Sequence, residues 1–416
     1  MGKIEVEGMH KLQGEVRIQG SKNAVLPILS ACVLNEGETV LFNCPKIRDV
    51  ASMLEALEGA GAKISWEGNV LHLDTTVMRP VPIIEKAGCM RSSVMLLGSF
   101  LARFGTATLG YPGGCCIGKR PIDLHEQALE AMGAEFCERE TYLEAKCSLL
   151  EGCDIYLPYP SVGATENVIL AAAGASGMTR IYGAAREPEI TELCKFLMKS
   201  GIRIYGAGTQ QIFVMGGKIK TKGEYRVCPD RIVAGTYFFA AAAAGGEVVL
   251  KDVPIEHMRS TIQVMHRMGA NIYRDGKNVK ISMDKRPEPI PFIRTASYPG
   301  FPTDLQSPLV AALCTADGKS CVQERMFENR FMIVEELKKM GADISLKDQT
   351  AHIFPVKKLL AKEVTVRELR GGAALVIAAL GAEGCSIINN SDIICRGYED
   401  IAGDLAGLGA EIRVIS

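Results

Sequence analysis

The sequence predicts an α/β protein built from six copies of one unit of about 70 residues. Two independent rhythms and one leftover segment carry that prediction. The first rhythm is the end of an amphipathic helix, a glycine, and a β-rich run: LEALEGAGAKI, ALEAMGAEF, FLMKSGIRI, VMHRMGANI, ELKKMGADI, LAGLGAEI. Its glycines, Gly61, Gly133, Gly201, Gly269, Gly341 and Gly409, lie 72, 68, 68, 72 and 68 residues apart. A glycine there is the left-handed stop that helix ends favour. The second rhythm is a small-residue helix, a glycine and a strand: GETVL, GTATL, GMTRI, GEVVL, GKSCV, GCSII. Its glycines are Gly37, Gly105, Gly177, Gly246, Gly318 and Gly384, spaced 68, 72, 69, 72 and 66 residues apart. The leftover segment is an N-terminal strand–turn–strand, KIEVEGMHKLQGEVRIQ, that precedes the first unit.

Each unit reads as helix A, strand, loop, helix B, strand, then a strand pair. Helix A is rich in Ala, Leu and Val nearly all round, so it should be buried. The first begins near Ser21. Helix B is amphipathic: Leu124, Ala128, Leu129 and Met132 share one side, with Glu126, Gln127 and Glu130 away from it. The sixth unit stops just after EIRVI and lacks its trailing strands. The N-terminal segment is the simplest repair, which makes the chain close on itself. A helix that is apolar on all sides wants to be enclosed by sheets. That favours compact groups, such as two of three units, although the pattern alone does not fix the division.

Composition narrows the function. Hydrophobic residues make up 47% of the 416, ample for large cores, and the net charge is −1. So balanced a chain has no broad polyanion surface, which argues against nucleic acid as a main partner. Met1 to Gly20 carries charges throughout and has no apolar signal core. No run approaches a membrane span; the nearest, 238–246, is short and rich in small residues. A soluble cytoplasmic protein is expected. The 14 cysteines in so long a chain are not a disulfide framework, and Cys32, Cys194 and Cys314 read as small core residues. With no CxxC and no zinc-like histidine spacing, no metal is expected.

Charged residues mark the starts of the greasy helices: Lys22 and Asn23 in GSKNAVLP, Arg91 in CMRSSVMLL, Glu166 in PSVGATENV, Asp230 and Arg231 in CPDRIVAGT, Asp304 in FPTDLQSPL, Glu368 and Arg370 in ELRGGAALV. A cation at a helix start opposes the helix dipole, so it needs another reason, such as a bound anion. Lys22, Arg91, Arg231 and Arg370 at equivalent repeat positions point to a shared anion site. Arg120, Arg330 and Arg396, near helix B starts, could add to it. Asp123 with Glu126 fits a capping arrangement, and His125 reads as a packed or solvated histidine. In YPGGCCIGKRPIDLH (111–125), glycines let the backbone approach a ligand, and a thiol beside cations is biased towards reactivity. Spacing does not say whether Cys115 or Cys116 is the reactive one.

Several segments together carry a resemblance: GSKNAVLPI, YPGGCCIGKRPIDLH, PSVGATENV, AAREPEI, CPDRI, YPGFPTDLQ, FENRF, ELR and CRGYED. In order and spacing the chain resembles the UDP-N-acetylglucosamine 1-carboxyvinyltransferases, from Gly14 nearly to the C-terminus. The resemblance implies the enolpyruvyl transferase fold, a two-domain inside-out α/β barrel with helix A inside and sheets outside. It implies domains of 22–229 and of 1–21 plus 230–416, an active site in the cleft between them, and a thiol loop that closes as a lid. It implies transfer of the enolpyruvyl group of phosphoenolpyruvate to the 3′-hydroxyl of UDP-N-acetylglucosamine, with loss of phosphate through a tetrahedral intermediate. That is the first committed step of peptidoglycan synthesis, hence of cell-wall growth and division.

Carried over position by position, Lys22, Asn23, Arg120, Arg370 and Arg396 resemble the phosphoenolpyruvate contacts. Cys115 resembles the family's proton donor, which also forms a covalent thioether with phosphoenolpyruvate and is the target of fosfomycin. Asp304 resembles the carboxylate beside the 3′-hydroxyl, a base or an orienting group. Lys22 and Arg396 join these two as catalytic residues. Arg91, Arg120, Pro121, Ile122, Asp123, Leu124, Ser161, Val162, Gly163, Asp304 and Met326 resemble the sugar-nucleotide contacts, with Arg330 in support. The substrates are small molecules, and no cofactor, nucleic acid or membrane is implied. Two positions depart from the family: Glu368 stands where Asp is usual, and Cys116 where Thr is frequent. The nearest alternatives are the sister transferase acting on shikimate 3-phosphate and a catalytically silent paralogue that binds UDP-N-acetylglucosamine.

Overall fold

All six glycines of the first rhythm take the left-handed region, with φ of +99° at Gly61 and Gly133, +105° at Gly201, +91° at Gly269, +89° at Gly341 and +85° at Gly409. A side chain there would be strained, so the repeated glycine is a backbone requirement. The structure is a computed structural model that describes residues 2–85, 88, 90–113, 117–118, 121–219 and 222–415.

Among the described residues twelve α-helices alternate as the repeat predicts. The A helices are α1 (Lys22–Cys32), α3 (Leu96–Phe104), α5 (Val162–Gly174), α7 (Arg231–Ala244), α9 (Gln306–Leu313) and α11 (Leu369–Leu380). The B helices are α2 (Arg48–Gly59), α4 (Asp123–Ala131), α6 (Pro188–Lys199), α8 (Arg259–Arg267), α10 (Ile333–Lys339) and α12 (Ile401–Gly407). The A helices are buried almost along their length: α11 from Leu369 to Leu380, α7 from Arg231 to Ala242. Among the described residues six sheets of three or four strands and one of two strands lie around them, so the helix is inside and the sheet outside, which is the predicted fold class.

The chain divides into two compact units. In the unit made of 20–113 and 121–228, three sheets repeat one plan. Glu38–Phe42 lies between Lys222–Arg226, parallel to it, and the antiparallel hairpin strands Val70–Asp74 and Lys63–Glu67. Met178–Tyr182 has the same neighbours in Asp154–Tyr156, Gln211–Met215 and Arg203–Tyr205. Thr106–Gly110 has its hairpin, but a single parallel bridge from Ile83 to Leu109 replaces the fourth strand.

The other unit holds 2–19 and 229–415, with Ile117 and Gly118. Its plan is the same, and here the N-terminal segment finds its place. Leu12–Arg17 pairs parallel with Gly246–Lys251. Lys3–Glu7 lies antiparallel between Cys385–Asn389 and Glu411–Ile415, and so supplies the return strand that the sixth repeat lacks. Ile4 and Val6 point from it into the core. Cys32, Cys194 and Cys314 are fully buried as the sequence predicts, and burial pushes each thiol up to about 12. Among the described residues no helix is long and apolar enough to cross a membrane.

Candidate active site

The residues singled out in the sequence fall into two groups, one in each unit. In the unit of 20–228 they sit at helix starts. Lys22 opens α1, and its Nζ lies 2.7 Å from Oδ2 of Asp49 in the first turn of α2, in a nearly buried ion pair. Asn23 follows on the same turn. Arg91 begins a 3-10 turn (Arg91–Met95) ahead of α3, and its Nη2 donates to the carbonyl of Pro121 at 3.0 Å. The structure thus brings Arg91 against the 121–124 segment. Ser161 is the N-cap of α5; its Oγ accepts from Ala164 N–H at 3.4 Å. Val162 and Gly163 form the first turn, where N–H groups have no intrahelical acceptor and favour an anion.

One expectation needs correction here. Asp123 is not the cap of α4: Ile122 holds that position without a side-chain bond, and Asp123 is the first helical residue. A carboxylate there still complements the dipole, which is why the sequence pattern looks like a cap. Glu166, another charged residue at a helix start, lies buried, and among the described residues its Oε2 makes no hydrogen bond. Burial, then the nearby Glu189 and Glu187, push its carboxyl well above the ordinary range. His125 is buried as expected, with Nδ1 3.0 Å from the Asn167 amide. Cys115, Cys116 and Arg120 lie outside the described residues.

The second group centres on Asp304, in a 3-10 turn (Thr303–Leu305) ahead of α9. Its Oδ1 accepts from Arg330 at 2.7 Å and its Oδ2 from Arg370 at 3.0 Å. Both guanidiniums are almost wholly buried. Burial works against the Arg370 cation, but Asp304, Tyr398 and Asp230 outweigh it and hold its pKa above the ordinary guanidinium value. Among the described residues nothing accepts a hydrogen bond from the buried Nη1 of Arg370. Arg396 ends a half-buried 3-10 turn (Ser391–Arg396) that packs on α11, the helix whose first turn carries Arg370. Arg231 lies over the Tyr298 ring at 5.9 Å.

The departure at Glu368 has a structural use. Glu368 is the N-cap of α11, and its carboxylate accepts from the N–H groups of Arg370 and Gly371. The extra methylene is absorbed in a cap that engages both oxygens. Asp230 caps α7 in the same way, accepting from Ile232 and Val233.

Sequence reasoning missed Glu324. Its buried carboxylate accepts from Thr295 Oγ1 at 2.9 Å, Thr303 Oγ1 at 3.0 Å, Met326 N–H at 2.6 Å and Phe327 N–H at 3.2 Å. One side chain therefore ties the Asp304 turn to the Met326 loop. Because Met326 N–H is used in this way, the Met326 backbone has only its carbonyl to offer a ligand. Asp49 and Tyr398 were missed too. The GYED run hints at nothing more than a helix start, and a lone Asp in a helix B reads as a surface charge.

Comparison with known proteins shows the family. A family model described as "EPSP synthase (3-phosphoshikimate 1-carboxyvinyltransferase)" matches residues 6–405. UDP-N-acetylglucosamine 1-carboxyvinyltransferase 2 of Caldanaerobacter subterraneus subsp. tengcongensis is 45% identical over 99% of both chains. The chain belongs to that family. The UDP-N-acetylglucosamine 1-carboxyvinyltransferase of Halothermothrix orenii is 43% identical over the whole of both chains. Solved structures carry the same fold. The enolpyruvyl transferase NikO from Streptomyces tendae has a TM-score of 0.90 at 22% identity, covering 100% of this chain and 99% of its own. EPSP synthase from Acinetobacter baumannii has a TM-score of 0.77 at 19% identity, covering 100% of both. The protein is thus an enzyme of the UDP-N-acetylglucosamine 1-carboxyvinyltransferase family, with the enolpyruvyl transferase fold.

Proposed function

We propose that the protein transfers the enolpyruvyl group of phosphoenolpyruvate to the 3′-hydroxyl of UDP-N-acetylglucosamine and releases phosphate. The observation that carries this reading is Asp304 clamped between Arg330 and Arg370 in a chain 45% identical to a named enzyme of that activity. With each oxygen already engaged by a guanidinium, Asp304 is suited to accept from the sugar hydroxyl and orient it for attack. The orphaned Nη1 of Arg370 is a donor in search of an anionic oxygen, and Arg396 and Lys22 add cations for the phosphate and carboxylate.

In this reading the proton at C3 of phosphoenolpyruvate comes from the Cys115 thiol. Addition of the sugar oxygen at C2 gives the tetrahedral ketal. Loss of the C3 proton and of phosphate then restores the double bond. Arg91, the 120–124 segment, Ser161–Gly163, Asp304 and Met326 hold the sugar nucleotide. Both substrates are cytoplasmic metabolites, so the same reading puts the enzyme in the cytoplasm and at the entry to peptidoglycan synthesis.

Phosphate release from phosphoenolpyruvate tests the proposal, with UDP-N-acetylglucosamine and shikimate 3-phosphate as rival acceptors. Release with the sugar nucleotide alone is expected. Cys115→Ser should abolish most turnover near neutral pH and Cys116→Ser should not. Intact-mass spectra should show a fosfomycin adduct that Cys115→Ser removes. Nucleotide binding with no turnover at any pH would instead mark a silent paralogue, and release only with the shikimate acceptor would mark the sister activity.

A further inference from the structure

Three of the segments assigned to the sugar nucleotide are joined by a single side chain that no assignment above uses. Asn167 lies in α5, one turn beyond Gly163, and is fully buried. Its Oδ1 accepts from Gly98 N–H at 2.8 Å, and its Nδ2 donates to the Val94 carbonyl at 3.0 Å. Val94 and Gly98 are four residues apart, the pair that an uninterrupted helix would join directly. The Asn167 amide stands between them, where the 3-10 turn Arg91–Met95 hands over to α3. The close approach needs a glycine: a Cβ at Gly98 would stand 2.4 Å from the Asn167 carbonyl oxygen.

These two backbone contacts fix which end of the amide is nitrogen, because one partner is a donor and the other an acceptor. The remaining Nδ2 hydrogen faces Nδ1 of His125 in α4, at 3.0 Å. Nδ1 must therefore accept, and the imidazole carries its proton on Nε2. That edge of the ring lies against the start of α5: a Cβ at Gly163 would meet Cε1 at 3.1 Å and Nε2 at 3.2 Å. One side chain thus registers the Arg91 turn, the segment leading into α4 and the Ser161–Gly163 turn. We infer that Asn167, acting through His125, is the positioning residue that sets these three nucleotide-binding segments against one another, an inference that rests on the function proposed above.

The experiment uses the full chain and two readouts. Asn167→Asp keeps an acceptor for Gly98 but turns the donor facing His125 into an acceptor. The expected result is a change of His125 from the Nε2–H to the Nδ1–H tautomer, read in imidazole ¹⁵N spectra. With it, KM for UDP-N-acetylglucosamine should rise about tenfold, while kcat and KM for phosphoenolpyruvate stay within about twofold. His125→Ala leaves both backbone bonds of Asn167 in place and keeps the test open if Asn167→Asp does not fold. It should raise the nucleotide KM about fivefold and spare that of phosphoenolpyruvate. An unmoved nucleotide KM overturns the inference, as does a loss spread evenly over both KM values and kcat, the mark of a merely structural residue. If the wild type uses another acceptor, the proposed function falls, while the same split in that acceptor's KM still supports the positioning role.

Discussion

Asp304 answers to two cations at once, Arg330 at 2.7 Å and Arg370 at 3.0 Å, with Glu368 3.7 Å beyond Arg330. Buried guanidinium–carboxylate pairs are costly to break on one side only. Asp304→Asn leaves both arginines buried with only Glu368, and Asp230 near Arg370, as carboxylates. Its unfolding free energy should fall by about 3 kcal/mol, measured by chemical denaturation. If the carboxylate also orients the attacking hydroxyl, kcat should fall about 100-fold with a smaller change in the nucleotide KM. A stability loss with kcat intact would leave Asp304 a structural residue. At this scale the sequence is a partial guide. The residue types at repeat positions mark Arg370 with Lys22, Arg91 and Arg231 as candidates for one anion site, with Arg330 as an addition, because cations at helix starts are out of place. Which cation meets which carboxylate depends on rotamers and helix offsets that spacing does not encode. Nor does spacing encode the bond between Lys22 and Asp49.

Helix α12 packs its Asp404 against α7, where the fully buried Tyr237 hydroxyl donates to Oδ2 of Asp404. Burial raises the Asp404 carboxyl to about 6; the Tyr237 bond opposes this, and Asp400 and Glu399 reinforce it. The folded state thus binds the proton more tightly than the unfolded chain, whose carboxylate titrates near 4. The contribution favours folding below about pH 4 and is lost as pH rises through about 6. Asp404→Asn keeps an acceptor for Tyr237 without the buried charge. It should therefore stabilise the protein by about 1 kcal/mol at pH 7, after discounting for solvent, and by little at pH 4. Thermal midpoints of the two proteins across that range check it; equal differences at both pH values would mean Asp404 is not desolvated. The helices themselves were legible, because the A and B patterns differ in how much of each face is apolar. The 3-10 turns ahead of α3, α9 and α10 were not. A turn of three residues buries nearly the same side chains as one of 3.6, and only tertiary contacts such as the Asn167 amide separate them.

Among the described residues five four-stranded sheets share one strand order, and of these only the last takes its return strand from the other end of the chain. That closure was legible because a repeat with a missing piece and a piece without a repeat imply each other. The strand pairing that adds a parallel fourth strand was not, since Asp154–Tyr156 and Glu363–Thr365 are three residues long and carry little pattern. The closure makes a prediction for the whole chain. Lys3–Glu7 is a central strand with partners on both sides and buries Ile4 and Val6. Deleting residues 2–8 strands two edges and exposes core, so the thermal midpoint should fall by on the order of 10 °C. Lys3 also stands opposite Ile415, so the two ends are neighbours in the sheet. A permutant that joins residue 415 to residue 2 through a short glycine-rich linker, and opens the chain between Gly276 and Lys277, cuts only the exposed tip of a hairpin. It should keep both the midpoint, within a few degrees, and turnover. The two constructions separate continuity from content. If the strand matters as part of the sixth repeat, removing it is damaging and relocating its chain ends is not. A permutant that loses the fold while the deletion keeps it would mean that the N-terminal strand is an appendage and that the sixth repeat stands without it.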